Sequence, residues 1–248
     1  PIMGYYSGPL VKLGRAGDFT TAPEMTDLYG HTLAQAMVSL LEQTGANILE
    51  LGAGTGKLAF DVLTAFNRTG VRIENYRILE LSSELRQRQE EILSGFDNVE
   101  WLTALPERFE GVILANEVLD AMPVHLVKKK ENGWYETGVS VCADRLVWSD
   151  MPCEESLVDV IHRSIPDHKN LPVGYLTEVH IHAQGFVKTL CEMFVRSNRA
   201  AAILIDYGFP AHEYYHPDRS AGTLMCHFRH RAHDDPFFLP GLQDVTAH

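Results

Sequence analysis

The sequence predicts an α/β fold built on a doubly wound, mostly parallel sheet. Three observations support this prediction. Short apolar runs alternate with helical segments, a glycine-rich turn follows the first run, and acidic residues accompany the first two runs. Alternation of this kind is typical of βαβ units, in which helices cover both faces of a parallel sheet. A chain of 248 residues, of which 45% are hydrophobic, is long enough to bury such a core.

Strands and helices are expected to alternate through the first half of the chain. An amphipathic helix over residues 28–43 comes first. Four apolar runs follow it as strands: NILEL (47–51), YRILEL (76–81), NVEWL (98–102) and GVILAN (111–116). Helices over residues 56–66 and 82–93 separate the first three strands, and Ser82 is placed to cap the second helix.

The pattern changes after the fourth strand, from Val124 onward. The run HLVKKKENGWYETGV predicts two strands around an Asn132-Gly133 turn, which is a strong hairpin signal. The alternation resumes with a helix over residues 183–196 and the strand AAILIDYG, and GTLMCHF is a further candidate strand. A doubly wound sheet needs one more edge strand than these runs provide, so we expect the final strand to be missing.

These observations divide the chain into three expected parts. An N-terminal loop and helix segment covers the binding site, and an insertion made of a β-hairpin and a helix interrupts the α/β core. The expected bounds are 1–46 for the N-terminal segment, 47–123 and 174–248 for the core, and 124–173 for the insertion.

The glycine-rich turn departs from the two common phosphate-binding patterns. A P-loop needs a glycine five positions before Gly56, where Leu51 stands, and a serine or threonine where Leu58 stands. The dinucleotide fingerprint GxGxxG has Lys57 in place of its third glycine. The remaining pattern is E-x-G-x-G-x-G, which begins at Glu50.

The acidic residues of the first two strands favour a cationic cofactor without phosphate. Glu50 would repel a pyrophosphate and attract a cation, and S-adenosylmethionine (SAM) carries an ammonium and a sulfonium. Gly52 and Gly54 let the backbone approach such a cofactor closely. Glu80, followed by Leu81, ends the second strand, where a carboxylate can accept hydrogen bonds from ribose hydroxyls. The alternative is that Glu50 and Glu80 are solvated strand ends beside a purely structural turn.

A second group of polar residues follows the fourth strand. Asn116, Glu117 and Asp120 lie at the sheet edge where open α/β sheets bind ligands. Asn116 is suited to the methionine part of SAM, and the two carboxylates are suited to a guanidinium acceptor, which presents a planar fork of donors. Alternatively, Asp120 caps the following turn and only the other two residues contact ligand.

The chain resembles the MidA family of SAM-dependent methyltransferases along almost its whole length. The motifs that carry the resemblance are GYYSG, GDFTTAPEMT, ELGAGTGKLA, NEVLDAMPV, IDYGFPAHEYYHPDRSAGTL and DDPFFLPGLQDVTAH. The resemblance implies a class I SAM-dependent methyltransferase fold, Rossmann-like, with a family-specific insertion. It also implies methylation of a protein arginine, since mitochondrial members methylate an arginine of a respiratory complex I subunit during complex I assembly.

The same resemblance implies roles for particular residues. It places the cofactor over the three glycines of the turn, with Glu80 on the ribose. It places Asp18, Phe19 and Thr20 near the cofactor, in a segment that folds over the site. Glu178 belongs to a recurring motif of the family and is a candidate for acceptor binding. From the sequence alone, the alternative expectation is a solvent-exposed acid at the entry to a helix. The implied cofactor-binding glycines are Gly52, Gly54 and Gly56.

Charge and hydropathy restrict the partners. A net charge of −12 disfavours a nucleic-acid binder, which needs a basic face. An acidic surface suits a basic partner, so we expect a protein substrate with an accessible arginine; homodimer formation is compatible with the sequence. No apolar stretch is long enough to span a bilayer, and no targeting segment is visible. The expected location is the bacterial cytoplasm, or the mitochondrial matrix for a eukaryotic source.

No metal site is expected. His227, His230 and His233 are spaced three apart without a clear fourth ligand, and the four cysteines form no CxxC pair. Two other functional classes stay open. One is an NAD-binding oxidoreductase, which the broken fingerprint and Glu50 disfavour, and the other is an assembly factor that binds SAM without catalysis.

Overall fold

The computed structural model describes residues 21–247, which form twelve strands and seven helices. The expected cofactor contacts of Asp18, Phe19 and Thr20 lie outside the described residues. The strands are β1 (Asn47–Leu51), β2 (Asn75–Leu79), β3 (Val99–Leu102), β4 (Gly111–Asn116), β5 (His125–Lys130), β6 (Gly133–Cys142), β7 (Arg145–Pro152), β8 (Leu176–Val179), β9 (Ala200–Ile205), β10 (Met225–Phe228), β11 (Arg231–His233) and β12 (Asp244–Thr246).

Helices lie close to the expected positions 28–43, 56–66, 82–93 and 183–196, whereas the short helices Ala22–Met25 and Ala211–Tyr214 were not expected. Ser82 caps the helix Ser83–Ile92 by accepting a hydrogen bond from the Leu85 amide. Among the described residues, none of the helices combines the length and the hydropathy needed to cross a membrane. The helices are α1 (Ala22–Met25), α2 (Asp27–Thr44), α3 (Lys57–Thr69), α4 (Ser83–Ile92), α5 (Glu155–Ser164), α6 (Ile181–Arg196) and α7 (Ala211–Tyr214).

A five-stranded parallel sheet in the order β3-β2-β1-β4-β9 forms the centre of the molecule. Its central strands β1 and β4 are mostly apolar and buried because both faces of the sheet are covered there. Ile48 of β1 packs into a cluster with α2 and α3, whereas the adjacent Leu49 packs into a second cluster with α6 on the other face. The expected doubly wound α/β fold is therefore confirmed.

A second, antiparallel sheet in the order β7-β6-β5-β8 lies between β4 and α6 in the chain. The expected hairpin is present, but the turn that joins β5 and β6 is Glu131-Asn132, because Gly133 already pairs with Lys130 as the first residue of β6. Helix α5 packs on this sheet through Ile161, which is fully buried. Because β8 pairs with β5, the sheet continues to Val179, past residue 173 where the insertion was expected to end.

A third sheet contains three short antiparallel strands in the order β11-β10-β12. The candidate strand GTLMCHF supplies β10, but β10 pairs with β11 and β12 instead of extending the central sheet. Among residues 21–247 the two edge strands of the central sheet are β3 and β9.

Candidate active site

A cavity of about 690 Å³ opens at the carboxyl ends of the central strands. Gly52, Glu80 and Asn116, which follow or end three of these strands, all line it. The strand order reverses between β1 and β4, and such a switch point is where open α/β sheets bind ligands. The volume falls within the range of about 300–1,000 Å³ that is usual for small-molecule sites.

The glycine turn between β1 and α3 forms one wall of the cavity. Gly52 and Gly54 have φ angles of 64° and 55°, in the left-handed region that favours glycine. Both line the cavity, as expected. Gly56 instead begins α3 and faces α4, where an added Cβ would lie 2.9 Å from Cγ2 of Ile92. Gly56 therefore serves the close packing of two helices rather than the cavity wall.

Gln89 connects the glycine turn to the end of β2. Its Nε2 donates to the Gly54 carbonyl at 2.8 Å and to Oε2 of Glu80 at 3.0 Å, and its Oε1 accepts from the Trp101 indole at 2.9 Å. The side chain is fully buried. Sequence reasoning missed this residue because it lies in a helix whose other polar side chains mostly face solvent.

Glu80 is oriented by two hydrogen bonds. Besides the bond from Gln89, its Oε1 accepts from the Ser82 amide at 2.8 Å. Each carboxylate oxygen has two lone pairs, so both retain capacity to accept from a ligand. Leu81 also lines the cavity and is 84% exposed. Glu80 and Leu81 therefore both line the cavity, directly after β2.

Glu50 lies inside β1 and is buried, so it is not a solvated strand end. Tyr76 donates to its Oε2 at 2.8 Å. Burial raises the pKa of Glu50 to about 7; the Tyr76 hydrogen bond opposes this rise and the nearby charge of Glu80 adds to it. Glu50 lines the cavity as a carboxyl group that changes charge near neutral pH.

Asn116 and Glu117 stand where β4 ends. Tyr29 donates to Oδ1 of Asn116, and Asn116 donates to Oε1 of Glu117 at 3.4 Å. Glu117 has a φ of 52°, and its amide donates to the Ile205 carbonyl at 2.8 Å, which fixes the backbone. Burial raises the pKa of Glu117; the Asn116 hydrogen bond opposes the rise, and the charge of Asp206 adds to it.

Asp120 lies in the same wall and is 9% exposed. Burial raises its pKa to about 7, with further contributions from the charges of Asp206, Glu117 and Asp244. The turn itself is held by Asp206, whose Oδ2 accepts from the Leu119 amide at 2.8 Å and the Asp120 amide at 3.3 Å. Asp120 itself accepts a hydrogen bond from the Ala121 amide, which opposes the rise of its pKa, so the alternative that Asp120 caps the following turn stays open.

Sequence reasoning missed Asp244 and Thr246 in the same part of the cavity, and considered His227 only as a metal ligand. Asp244 and Thr246 come from β12, and His227 comes from β10. Tyr207 also lines this region, and its pKa is raised chiefly by the charge of Glu117. A run of alternating residues near the end of the chain was the available signal, but its pairing partner could not be recognised.

Glu178 lies outside the cavity lining, so its placement does not support the expected catalytic role. It is also not a solvated acid at a helix entry, because it sits in β8 and is fully buried. Its carboxylate accepts from the Thr223 amide at 2.7 Å, the Leu224 amide at 3.0 Å and the Tyr214 hydroxyl at 3.0 Å. Glu178 therefore fixes the loop that leads into β10.

The cavity is strongly acidic. Among its described lining residues there is no lysine or arginine, whereas six carboxyl side chains line it: Glu24, Glu50, Glu80, Glu117, Asp120 and Asp244. Such a lining suits a cationic ligand and repels a pyrophosphate. In the part of the chain that the structure describes, no group of three or more His, Cys, Asp or Glu side chains is arranged to hold a metal ion.

Comparisons with known proteins agree with this geometry. A family model described as "Putative S-adenosyl-L-methionine-dependent methyltransferase" matches residues 32–248. The chain is similar to the Danio rerio and Homo sapiens proteins named "Protein arginine methyltransferase NDUFAF7, mitochondrial". It is 28% identical over 288 residues to the first and 27% over 283 residues to the second. These alignments cover 100% of this chain and 63% and 60% of the two relatives.

A solved structure gives the same result. A crystal structure of a Burkholderia thailandensis protein bound to S-adenosyl-homocysteine matches with a TM-score of 0.91 at 50% identity. The match covers 100% of this chain and 65% of the other. The chain thus spans a little under two thirds of the length of the relatives it matches. Since the family model covers most of the chain, the chain belongs to this MidA-like family of SAM-dependent methyltransferases, whose cofactor is SAM.

Proposed function

We propose that the chain binds SAM at the glycine turn and transfers a methyl group to an arginine side chain of a protein, held at the acidic end of the same cavity. One observation carries the proposal: a single cavity joins the turn at Gly52 and Gly54 to the carboxylates of Glu117 and Asp120. The choice of an arginine acceptor is supported by the animal relatives, which are named protein arginine methyltransferases.

The residues at the turn suit SAM in shape and charge. The left-handed conformations at Gly52 and Gly54 allow a ligand to approach the backbone. Glu80 is held by two hydrogen bonds in a position to accept from the ribose hydroxyls. Glu50 adds negative charge beside a cationic ligand. The lack of basic side chains among the described lining residues fits a cofactor that has no phosphate.

At the acidic end, the protein's part is to orient the acceptor and receive a proton. SAM, when bound, supplies a methyl group on a sulfonium that is ready for displacement. Glu117 and Asp120 accept hydrogen bonds from the N–H groups of the guanidinium, and these bonds fix which nitrogen faces the methyl group. Methylation releases one proton from the guanidinium, and a carboxylate whose pKa lies near 7, such as Asp120, is a better acceptor for it than an ordinary carboxylate.

The acceptor and the location of the whole protein are inferred from the same family relation. We infer a protein acceptor because the relatives are named for protein methylation. We infer a reaction in the mitochondrial matrix or the bacterial cytoplasm, since the relatives are named mitochondrial and the solved structure is from a bacterium. Formation of a homodimer stays a prediction.

Two measurements test the proposal. Calorimetric titration with SAM, S-adenosylhomocysteine and NAD should show binding of the first two and none of the third. Incubation of a cell extract with methyl-labelled SAM, followed by acid hydrolysis and amino-acid analysis, should show label in methylarginine. The Glu117→Gln variant should lose the label while still binding SAM.

The outcomes separate the rival functions. NAD binding without SAM binding would contradict methyl transfer altogether. SAM binding without label in any amino acid would favour the non-catalytic assembly factor. Label in methyl-lysine instead of methylarginine would keep the methyltransferase and overturn the acceptor.

A further inference from the structure

We propose that Asp244 and Thr246, from the three-stranded sheet near the end of the chain, form a second set of contacts to the acceptor arginine, together with Glu117 and Asp120. The inference rests on the proposed arginine acceptor and assigns residues that contact it. It gives this small sheet a binding role.

The register of the three-stranded sheet turns these side chains to one face. In β12 Asp244 and Thr246 are buried, whereas Val245 between them is exposed, as alternation along a strand requires. In the pairing of β10 with β12, His227 lies opposite Asp244. His227, Asp244 and Thr246 all line the cavity. This face of the sheet therefore forms a wall of the site.

The end of β12 is attached to the acidic loop after β4. The Ala247 amide, directly after Thr246, donates to the Asp120 carbonyl at 3.3 Å. Asp244 is close enough to the loop for its charge to raise the pKa of both Glu117 and Asp120. Carboxylates from two distant parts of the chain therefore meet in one region, where their charges repel one another.

Thr246 indicates that a ligand belongs at this wall. Thr246 is 6% exposed, and its Oγ1 atom is buried without a hydrogen-bond partner among the described residues. Nδ1 of His227 is likewise buried without a hydrogen bond and lies 4.0 Å from Oδ2 of Asp244. Buried polar atoms are nearly always paired, so each such atom calls for an explanation. Since Thr246 and His227 both line the cavity, a ligand bound against this wall is the partner that the proposal assigns to these atoms.

The chemistry of these atoms selects a donor-rich cation. Carboxylate oxygens, a threonine hydroxyl and an unprotonated imidazole nitrogen can all accept hydrogen bonds. A guanidinium presents five N–H donors in a plane and no acceptor, so it can bond acceptors on two walls at once. An ammonium presents only three donors around a point charge. An arginine side chain thus fits this combination better than a lysine side chain does.

Binding of a small probe tests the inference. The probe is N-acetyl-arginine-N-methylamide, titrated by NMR into the protein saturated with S-adenosylhomocysteine, and N-acetyl-lysine-N-methylamide is the comparison. Thr246→Val and Asp244→Asn should each weaken binding of the arginine probe by about tenfold, the loss typical of one hydrogen bond to a charged group. The affinity for S-adenosylhomocysteine should stay unchanged in both variants.

Two further variants separate binding from stability. Thr44→Val removes another buried threonine hydroxyl, one that donates to the Leu40 carbonyl within α2 and lies outside the cavity lining. It should leave probe binding unchanged. Thr246→Ser keeps the hydroxyl and should retain the wild-type affinity, so the role of the hydroxyl is testable even where Thr246→Val folds poorly.

The results distinguish failure of this inference from failure of the proposed function. Equal affinity of the wild type, Thr246→Val and Asp244→Asn for the arginine probe would overturn the role of β12 and leave the arginine acceptor in place. A wild-type protein that binds the lysine probe as tightly as the arginine probe, or neither, would overturn the arginine acceptor and this inference with it.

Discussion

The two ends of the cavity are built in different ways. At the glycine turn, Gly54, Glu80 and Gln89 are joined by hydrogen bonds within a stretch from β1 to α4. At the acidic end, Glu117, Asp120 and Asp244 come from two distant segments, and their mutual charges raise the pKa of the first two.

The difference concerns which polar groups are paired within the protein and which need a ligand as their partner. The turn has its polar groups paired before any cofactor binds, so it is a preorganised site. The acidic end holds like charges close together, and the buried hydroxyl of Thr246 has no hydrogen-bond partner among residues 21–247. Such an arrangement is costly in the free protein and becomes favourable only when a cation arrives. Substitutions at the glycine turn should therefore lower the affinity for SAM, whereas substitutions at the acidic end should change how stability depends on pH.

Gly54→Val should have the largest effect on the preorganised end. A β-branched residue is strained at a φ of 55°, and its side chain would fill cavity space. We expect SAM affinity to fall by about 1,000-fold or more, measured by calorimetry, with the fold retained by circular dichroism. The matched control is Gly70→Val, at a φ of 74° in the C-cap of α3 and outside the cavity lining. Near wild-type SAM affinity in Gly54→Val would contradict the assignment of the turn.

Glu178→Gln tests whether a third carboxylate belongs to the acidic end, because Glu178 was a candidate for acceptor binding and lies outside the cavity lining. Its carboxylate accepts two amide N–H groups and the Tyr214 hydroxyl, and an amide cannot accept them all. We expect the free energy of unfolding to fall by about 2–4 kcal/mol in urea, with SAM affinity unchanged. Glu100→Gln, in an exposed pair with Arg77, is the control and should cost about 0–1 kcal/mol. A stable Glu178→Gln protein that had lost only methyl transfer would restore the catalytic role.

Gln89→Leu tests whether the hydrogen bonds of Gln89 hold the glycine turn and Glu80 in the shape that binds SAM. The change leaves the Gly54 carbonyl, the Glu80 carboxylate and the Trp101 indole each without one partner. We expect SAM affinity to fall by about tenfold, since the turn and Glu80 lose their common link. Gln43→Leu, whose exposed side chain donates within α2, should bind SAM as the wild type does. Unchanged affinity in Gln89→Leu would mean that the turn holds its shape without this link.

Asp120→Asn addresses the acidic end through its dependence on pH. In the folded protein the pKa of Asp120 is raised from 3.8 to about 7, so the carboxyl is harder to ionise than in the unfolded chain. Wild-type stability should therefore decline as pH rises from about 4 to about 7, and the asparagine variant should escape this decline.

The expected gain is modest because the carboxyl faces a solvent-accessible cavity. Above pH 7 the variant should be more stable by about 1–2 kcal/mol, and below pH 4 the difference should vanish. Urea unfolding at pH 4 and pH 8 measures both values. Asp159→Asn, on the exposed side of α5, is the control for a general effect of removing charge. A difference of the same size at both pH values would show that Asp120 is not held in an unfavourable charged state.

The features that the sequence predicted well are those encoded in short stretches. The strand, glycine turn and helix from Asn47 to Thr69 follow one another in the chain, so periodicity and turn chemistry locate them. The hairpin of β5 and β6 is likewise local, although its turn lies one residue before the predicted position. The positions of Glu80, Glu117 and Asp120 followed from the rule that ligands bind at the carboxyl ends of parallel strands.

The features that were missed depend on pairing between distant segments. Asp244 reaches the cavity because β12 pairs with β10, and no local pattern in DVT indicates that partner. Glu178 was interpreted as an acid at a helix entry because its strand has only four residues and precedes a helix directly. Gly56 was grouped with its neighbouring glycines by spacing alone, although its surroundings on α4 assign it to packing.

The bonds from Thr223 and Leu224 to Glu178 have a consequence for exchange of amide hydrogens with solvent. Both amides belong to a loop, where exchange is ordinarily fast, yet both donate to a carboxylate that is fully buried. They can exchange only when β8 separates from this loop. The protection factors of these two amides therefore measure how often β8, in the four-stranded sheet, separates from the loop that leads into β10, the strand of His227.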